Sequence, residues 1–143
     1  MNKDLQQKLY DKYPKLFAGV HKSIQESCMP FGCECGDGWY NILEELCESI
    51  KGYEGVEFEQ IKEKFATLRV YVGGVPEEVH KAITIAEDKS CVTCEQCGEP
   101  GTMRAGGWLV TLCDKCSEAR DKRIEERKNK PLVNSTTFNV FPG

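Results

Sequence analysis

The sequence predicts an α+β fold: a small antiparallel sheet flanked by helices, with a four-cysteine ribbon toward the C-terminus. Three observations carry this. Between residues 39 and 50 apolar side chains recur at helical spacing, and between 56 and 72 the period falls to two. Two C-x-x-C pairs, Cys94/Cys97 and Cys113/Cys116, then stand fifteen residues apart. This order divides the chain into an α+β domain over 1–90, a ribbon over 91–117, and a charged helix with an extended tail over 118–143. A length of 143 residues suits one compact domain with a small appendage, and 40% hydrophobic residues can supply its core.

Residues 3–18 read as helical, with Leu5, Leu9, Tyr10, Tyr13 and Leu16 or Phe17 along one face. Pro14 kinks or ends that helix, because it has no N–H and its ring clashes with the preceding turn. A second short helix is expected over 17–26. Residues 28–38, CMPFGCECGDG, read as a loop because proline and glycine interrupt any periodic pattern. In the next helix Trp39, Ile42, Leu43, Leu46, Cys47 and Ile50 form one buried stripe. Asp37 is expected to cap its start by accepting unpaired backbone N–H groups, and Gly52 to stop it.

Val56 and Phe58 alternate with Glu57 and Glu59, and Leu68, Val70 and Val72 alternate with Arg69 and Tyr71. The pattern predicts two antiparallel strands joined near residues 64–67, with Gly73 and Gly74 closing the second. Pro76 suits the first turn of a further helix, where Glu77 and Glu78 meet the positive end of the dipole. Val79, Ala82, Ile83 and Ala86 make its apolar side. Residues 117–130 read as an exposed helix with acidic and basic residues interleaved.

Nine cysteines are an odd number, which argues against a fully paired disulfide framework. The CEQC and CDKC turns have the spacing of a zinc ribbon, in which each turn points two thiolates at one metal. Thr102 to Arg104 and residues 108–112 supply the hairpin between them, with Ala105, Gly106 and Gly107 as its turn. The expected zinc ligands are Cys94, Cys97, Cys113 and Cys116. Cys91, three residues before Cys94, offers a competing pair, disfavoured because Gly98 belongs to the knuckle after Cys97. Four thiolates leave no open coordination position, so the metal is expected to be structural. Cys28, Cys33 and Cys35 are irregularly spaced for a second site, and Cys47 falls on an apolar stripe.

No catalytic constellation is legible. His21 and His80 are isolated, no phosphate-binding glycine loop occurs, and Cys35 has no basic neighbour to activate it. The chain is therefore expected to bind rather than catalyse. Its net charge is −4, with the acidic excess in residues 1–90. A general nucleic-acid binder needs a basic surface, so nucleic acid is the disfavoured partner. No apolar run approaches the ~18–20 residues that cross a bilayer, and the polar N-terminus is unlike a signal peptide; a cytoplasmic protein is expected. Against this acidic background Trp39, Lys62, Lys64, Arg69, Arg104 and Trp108 concentrate aromatic and positive groups, the chemistry that holds an anionic ligand.

The ordered motifs resemble a family of small phage and prophage proteins. They are a YPKLF-type segment (13–17), the ECGDGW loop (34–39), the KEKFxxLRxY hairpin (62–71), an AED helix end (86–88) and the ribbon (94–116). The resemblance covers about residues 10–116 and implies a phage origin without a mechanism. The chain departs from the family at Ala66 and Thr67, where glycine is usual, and in its charged tail. On this footing the leading expectation is a non-enzymatic phage accessory protein acting in the host cytoplasm. It would bind a host factor, in counter-defence or host takeover. The alternatives are sequestration of a nucleotide signalling ligand and nucleic-acid accessory binding through the ribbon.

Overall fold

A computed structural model describes residues 1–129; Lys130 and the tail beyond it lie outside the described residues. Helix α1 runs over Lys3–Lys12 and is capped by Asn2, whose side chain accepts the Leu5 N–H at 2.8 Å. It ends just before Pro14, as the proline requires. The helix expected over 17–26 is instead a single 3-10 turn, Ala18–His21. Gly19 explains the difference: a Cβ there would lie 2.7 Å from Ser27 Oγ and 3.1 Å from the Phe58 carbonyl oxygen. The segment presses its backbone against the sheet.

The loop-like segment contains a strand that composition hid. Strand β1, Cys33–Glu34, pairs in parallel with β2, Phe58–Lys64, which pairs antiparallel with β3, Thr67–Val72. The sheet is therefore mixed rather than antiparallel throughout, because two residues are too short to show a period. Phe65 and Ala66 form the β2–β3 turn with φ of 53° and 69°. The left-handed region disfavours side chains.

Helix α2, Tyr40–Ile50, follows a 3-10 turn over Asp37–Trp39 and buries Ile42, Leu43, Leu46, Cys47 and Ile50. Asp37 does not cap it. Its carboxylate accepts the Asn2 backbone N–H at 2.7 Å and the Asn2 amide at 3.0 Å, tying α1 to the loop. Helix α3, Glu77–Ser90, follows Pro76, which takes the N-cap position, and packs on α2 and β3. It also blunts the free edge of β3. Ser90 Oγ accepts the Leu68 N–H at 2.8 Å, and the Glu87 carboxylate accepts the Val70 N–H at 3.1 Å. Side chains thus replace the missing neighbouring strand. One continuous core joins Leu9, Phe17, Trp39, Leu46, Phe58, Ile61, Leu68 and Val79.

The ribbon strands are β4, Thr102–Arg104, and β5, Val110–Leu112, paired antiparallel. Strand β5 is shorter than expected, since Trp108 and Leu109 belong to the turn. Helix α4 spans Asp114–Lys128 and so starts earlier than expected, taking Cys116 into its first turn. None of the described helices is long and apolar enough to cross a membrane.

Candidate functional site

The ribbon begins at the end of α3. After Cys91 the chain turns into the first knuckle, where the Gly98 N–H donates to the Cys94 carbonyl at 2.9 Å. Gly98 has φ of 85°, the left-handed turn that closes the knuckle. The second knuckle is made by a helix start. Cys113 is the N-cap of α4, and its sulfur accepts the Cys116 N–H at 3.4 Å. The positive end of α4 thereby faces the sulfur cluster.

The ligand atoms of Cys94, Cys97, Cys113 and Cys116 all lie within 4.8 Å of one another. The Cys97 and Cys113 sulfurs are 3.7 Å apart. That is far too long for a disulfide, and close to the edge of about 3.8 Å that a tetrahedron with bonds near 2.3 Å requires. Burial opposes ionisation of Cys94, but N–H groups of Cys113, Cys97 and Gln96 outweigh it and bring its pKa down to about 7. Cys116 is pushed up to about 12 by burial and by hydrogen bonding with Cys113, Cys94 and Cys97. A bare cluster would hold these thiols in unlike states, whereas a cation permits all four to be thiolates. The donor set fits a metal ion. It is the only such group among the described residues. Cys91 is outside it: exposed, with its sulfur 3.6 Å from the Glu87 carbonyl.

Comparison of the chain with protein-family models, with curated proteins and with solved structures returns no match.

The first knuckle is docked onto the GDGW loop by backbone contact. The Gly38 N–H donates to the Glu95 carbonyl at 2.8 Å, and the Gly36 N–H to the Glu95 carboxylate at 2.9 Å. A Cβ on Gly38 would stand 2.2 Å from the Cys94 carbonyl oxygen. These glycines look like turn punctuation in sequence; in the fold they permit a close approach of two backbones. Trp39 completes the dock, its indole N–H donating to the Thr93 carbonyl at 2.9 Å. A second tether joins the other side, where Thr111 Oγ1 donates to the Ala66 carbonyl at 2.8 Å.

The expected ligand-binding residues divide accordingly. Trp39 is fully buried and cannot be the floor of a ligand site, because the helical stripe carries it into the core. Arg104 is committed internally: Nη2 lies 2.7 Å from Asp114 and Nε donates to the Leu112 carbonyl at 3.2 Å. It braces the second knuckle. Lys62 and Arg69 are register partners, and with Lys64 they share the polar face of the sheet. Trp108 is 73% exposed, beside the β2–β3 turn. Phe65, at the β2–β3 turn that the strand pattern places near residues 64–67, is 66% exposed and lines the same cleft as Trp108, Leu109 and Lys64. Arg120, on the helix expected to be exposed, is instead largely enclosed, its guanidinium donating to the Ala105 carbonyl at 3.0 Å.

Proposed function

We propose that the chain is a non-enzymatic binding protein whose single zinc ion, held by Cys94, Cys97, Cys113 and Cys116, fixes two turns side by side as a recognition surface. The observation that carries the reading is the pairing of exposed aromatics on those turns. Phe65 tips the β2–β3 hairpin and Trp108 tips the ribbon, and both line one cleft. Large exposed aromatics on rigid supports are the usual anchors of protein recognition. Zinc suits the site because thiolate-only, four-coordinate geometry favours it over harder cations. A closed sulfur shell leaves the metal no position for substrate. The role that agrees best with the resemblance is that of a phage accessory protein, with a host protein as partner in counter-defence or takeover.

Two measurements test this. Metal analysis of the purified chain should find about one equivalent of zinc, lost in Cys113→Ser. Affinity capture from host lysate should retain a protein that Trp108→Ala fails to retain; equal capture by both would remove the aromatic surface from the account.

A further inference from the structure

The polar face of the three-stranded sheet gathers three cations, Lys62, Lys64 and Arg69. Lys62 and Arg69 stand directly opposite each other on β2 and β3, an arrangement in which like charges repel. Six cations of the chain, Lys12, Lys22, Lys51, Lys89, Arg104 and Arg120, each meet a carboxylate, whereas the sheet gathers three that do not onto one face. Among the described residues no ion pair reaches Lys62, Lys64 or Arg69. Glu34 is the β1 partner of Lys62 but forms no ion pair with it. Glu63 is turned to the hairpin, where it accepts the Ala66 N–H at 2.9 Å. Arg69 Nε donates only to Thr67 Oγ1, at 3.1 Å, and the Lys64 ammonium rests 5.6 Å from the Phe65 ring centroid.

The second observation is independent of charge. Phe65 occupies a left-handed position that asparagine or glycine would take without strain. Its side chain is 66% exposed, so little burial within the chain offsets that strain. Strain at an exposed aromatic points to a use outside the monomer. Lys64 joins the two features, since it lies on the cationic face and also lines the cleft between Phe65 and Trp108.

We propose that this surface docks an acidic segment of a partner protein bearing a bulky apolar side chain. The apolar group enters the cleft between Phe65 and Trp108, and flanking carboxylates pair with Lys64, Lys62 and Arg69. The proposal rests on the binding role argued above and names the partner's chemistry. A peptide is favoured over nucleic acid on two grounds. Three unpaired cations beside Glu34 and Glu63, on a chain of net charge −4, are too few to replace the counterions of a polyanion. The cleft, in turn, provides the apolar anchor that a peptide needs.

The test is selection from a displayed library of random peptides on the metal-loaded full chain. Synthetic copies of the selected peptides are then titrated against variants. Selected peptides should carry Asp or Glu around one large apolar residue. Their binding should weaken at higher salt, and by about tenfold or more in the Lys62→Gln, Arg69→Gln double variant. Phe65→Asn should bind at least about tenfold more weakly while melting at a higher temperature, because it relieves the turn and removes the anchor. Peptides without acidic residues, or binding indifferent to the Lys62 and Arg69 exchange, would overturn the proposal and leave an apolar binding role standing. Selection of nothing, or displacement of the peptides by oligothymidylate, would also overturn it.

Discussion

The α+β body and the ribbon are held together by different forces. The body joins α1, α2, α3 and the sheet in one apolar core, in which Trp39, Phe17, Leu43 and Ile61 are almost fully buried. The buried hydrophobics of the ribbon among residues 91–117 are Cys94 and Leu112. One buried leucine contributes roughly 1.5–3 kcal/mol, which cannot order a hairpin and two knuckles against chain entropy. The ribbon depends on its sulfur cluster and on backbone docking at Gly36 and Gly38. Burial suffices where a sheet can cover itself with helices; below that size a few directed bonds take over.

The strongest way to break this contrast is to strip the metal proposed for the four-cysteine cluster. Structural zinc contributes on the order of 10 kcal/mol to the folding of such small units. Chelation should therefore abolish amide protection across residues 94–116 while α2, β2 and β3 keep theirs, as hydrogen exchange would show. Loss of protection in α2 as well would mean that the ribbon supports the body.

Leu46→Asp attacks the other side. The side chain is 3% exposed on the inner face of α2, so a carboxylate there is buried without a partner. The cost is several kcal/mol, enough to unfold the body, and circular dichroism should show no cooperative melt. A native melting curve would contradict the assignment of that face.

Gly38→Ala tests the joint between the regions. The added methyl meets the Cys94 carbonyl oxygen and, at 2.6 Å, the Gly98 nitrogen, both backbone atoms with no rotamer to adjust. Expected destabilisation is about 1–3 kcal/mol with zinc content retained, measured by melting and by metal analysis on the same sample. Unchanged stability would mean that the loop does not clamp the knuckle.

The smallest effect is chemical. Burial pushes the Cys33 thiol up to about 12 and raises Cys35 and Cys47 as well, so all three stay protonated at neutral pH. Cys91 is exposed and outside the cluster. Brief iodoacetamide treatment of the metal-loaded chain at neutral pH should label Cys91 well ahead of Cys33, Cys35 and Cys47, as peptide mapping would record. Equal labelling would mean that the core opens on the timescale of the reaction.

Local patterns in the sequence determined a good deal by themselves. The stripe on α2, the two long strands, the apolar side of α3 and the four clustered cysteines are each set by spacing along one segment, because side-chain period and knuckle geometry are local properties. Tertiary structure decided the rest. Strand β1 exists because β2 offers it an edge, and Asp37 is drawn from the helix it precedes to Asn2 across the fold. Gly36 and Gly38 matter for the knuckle laid against them, Trp39 is withdrawn from any ligand by burial, and Arg104 is captured by Asp114. Whether Lys62, Lys64, Arg69 and Trp108 share a surface depended on where the β2–β3 turn meets the ribbon. That meeting is made by the hydrogen bond from Thr111 to the Ala66 carbonyl, a contact between residues distant in sequence that no periodicity along the chain encodes.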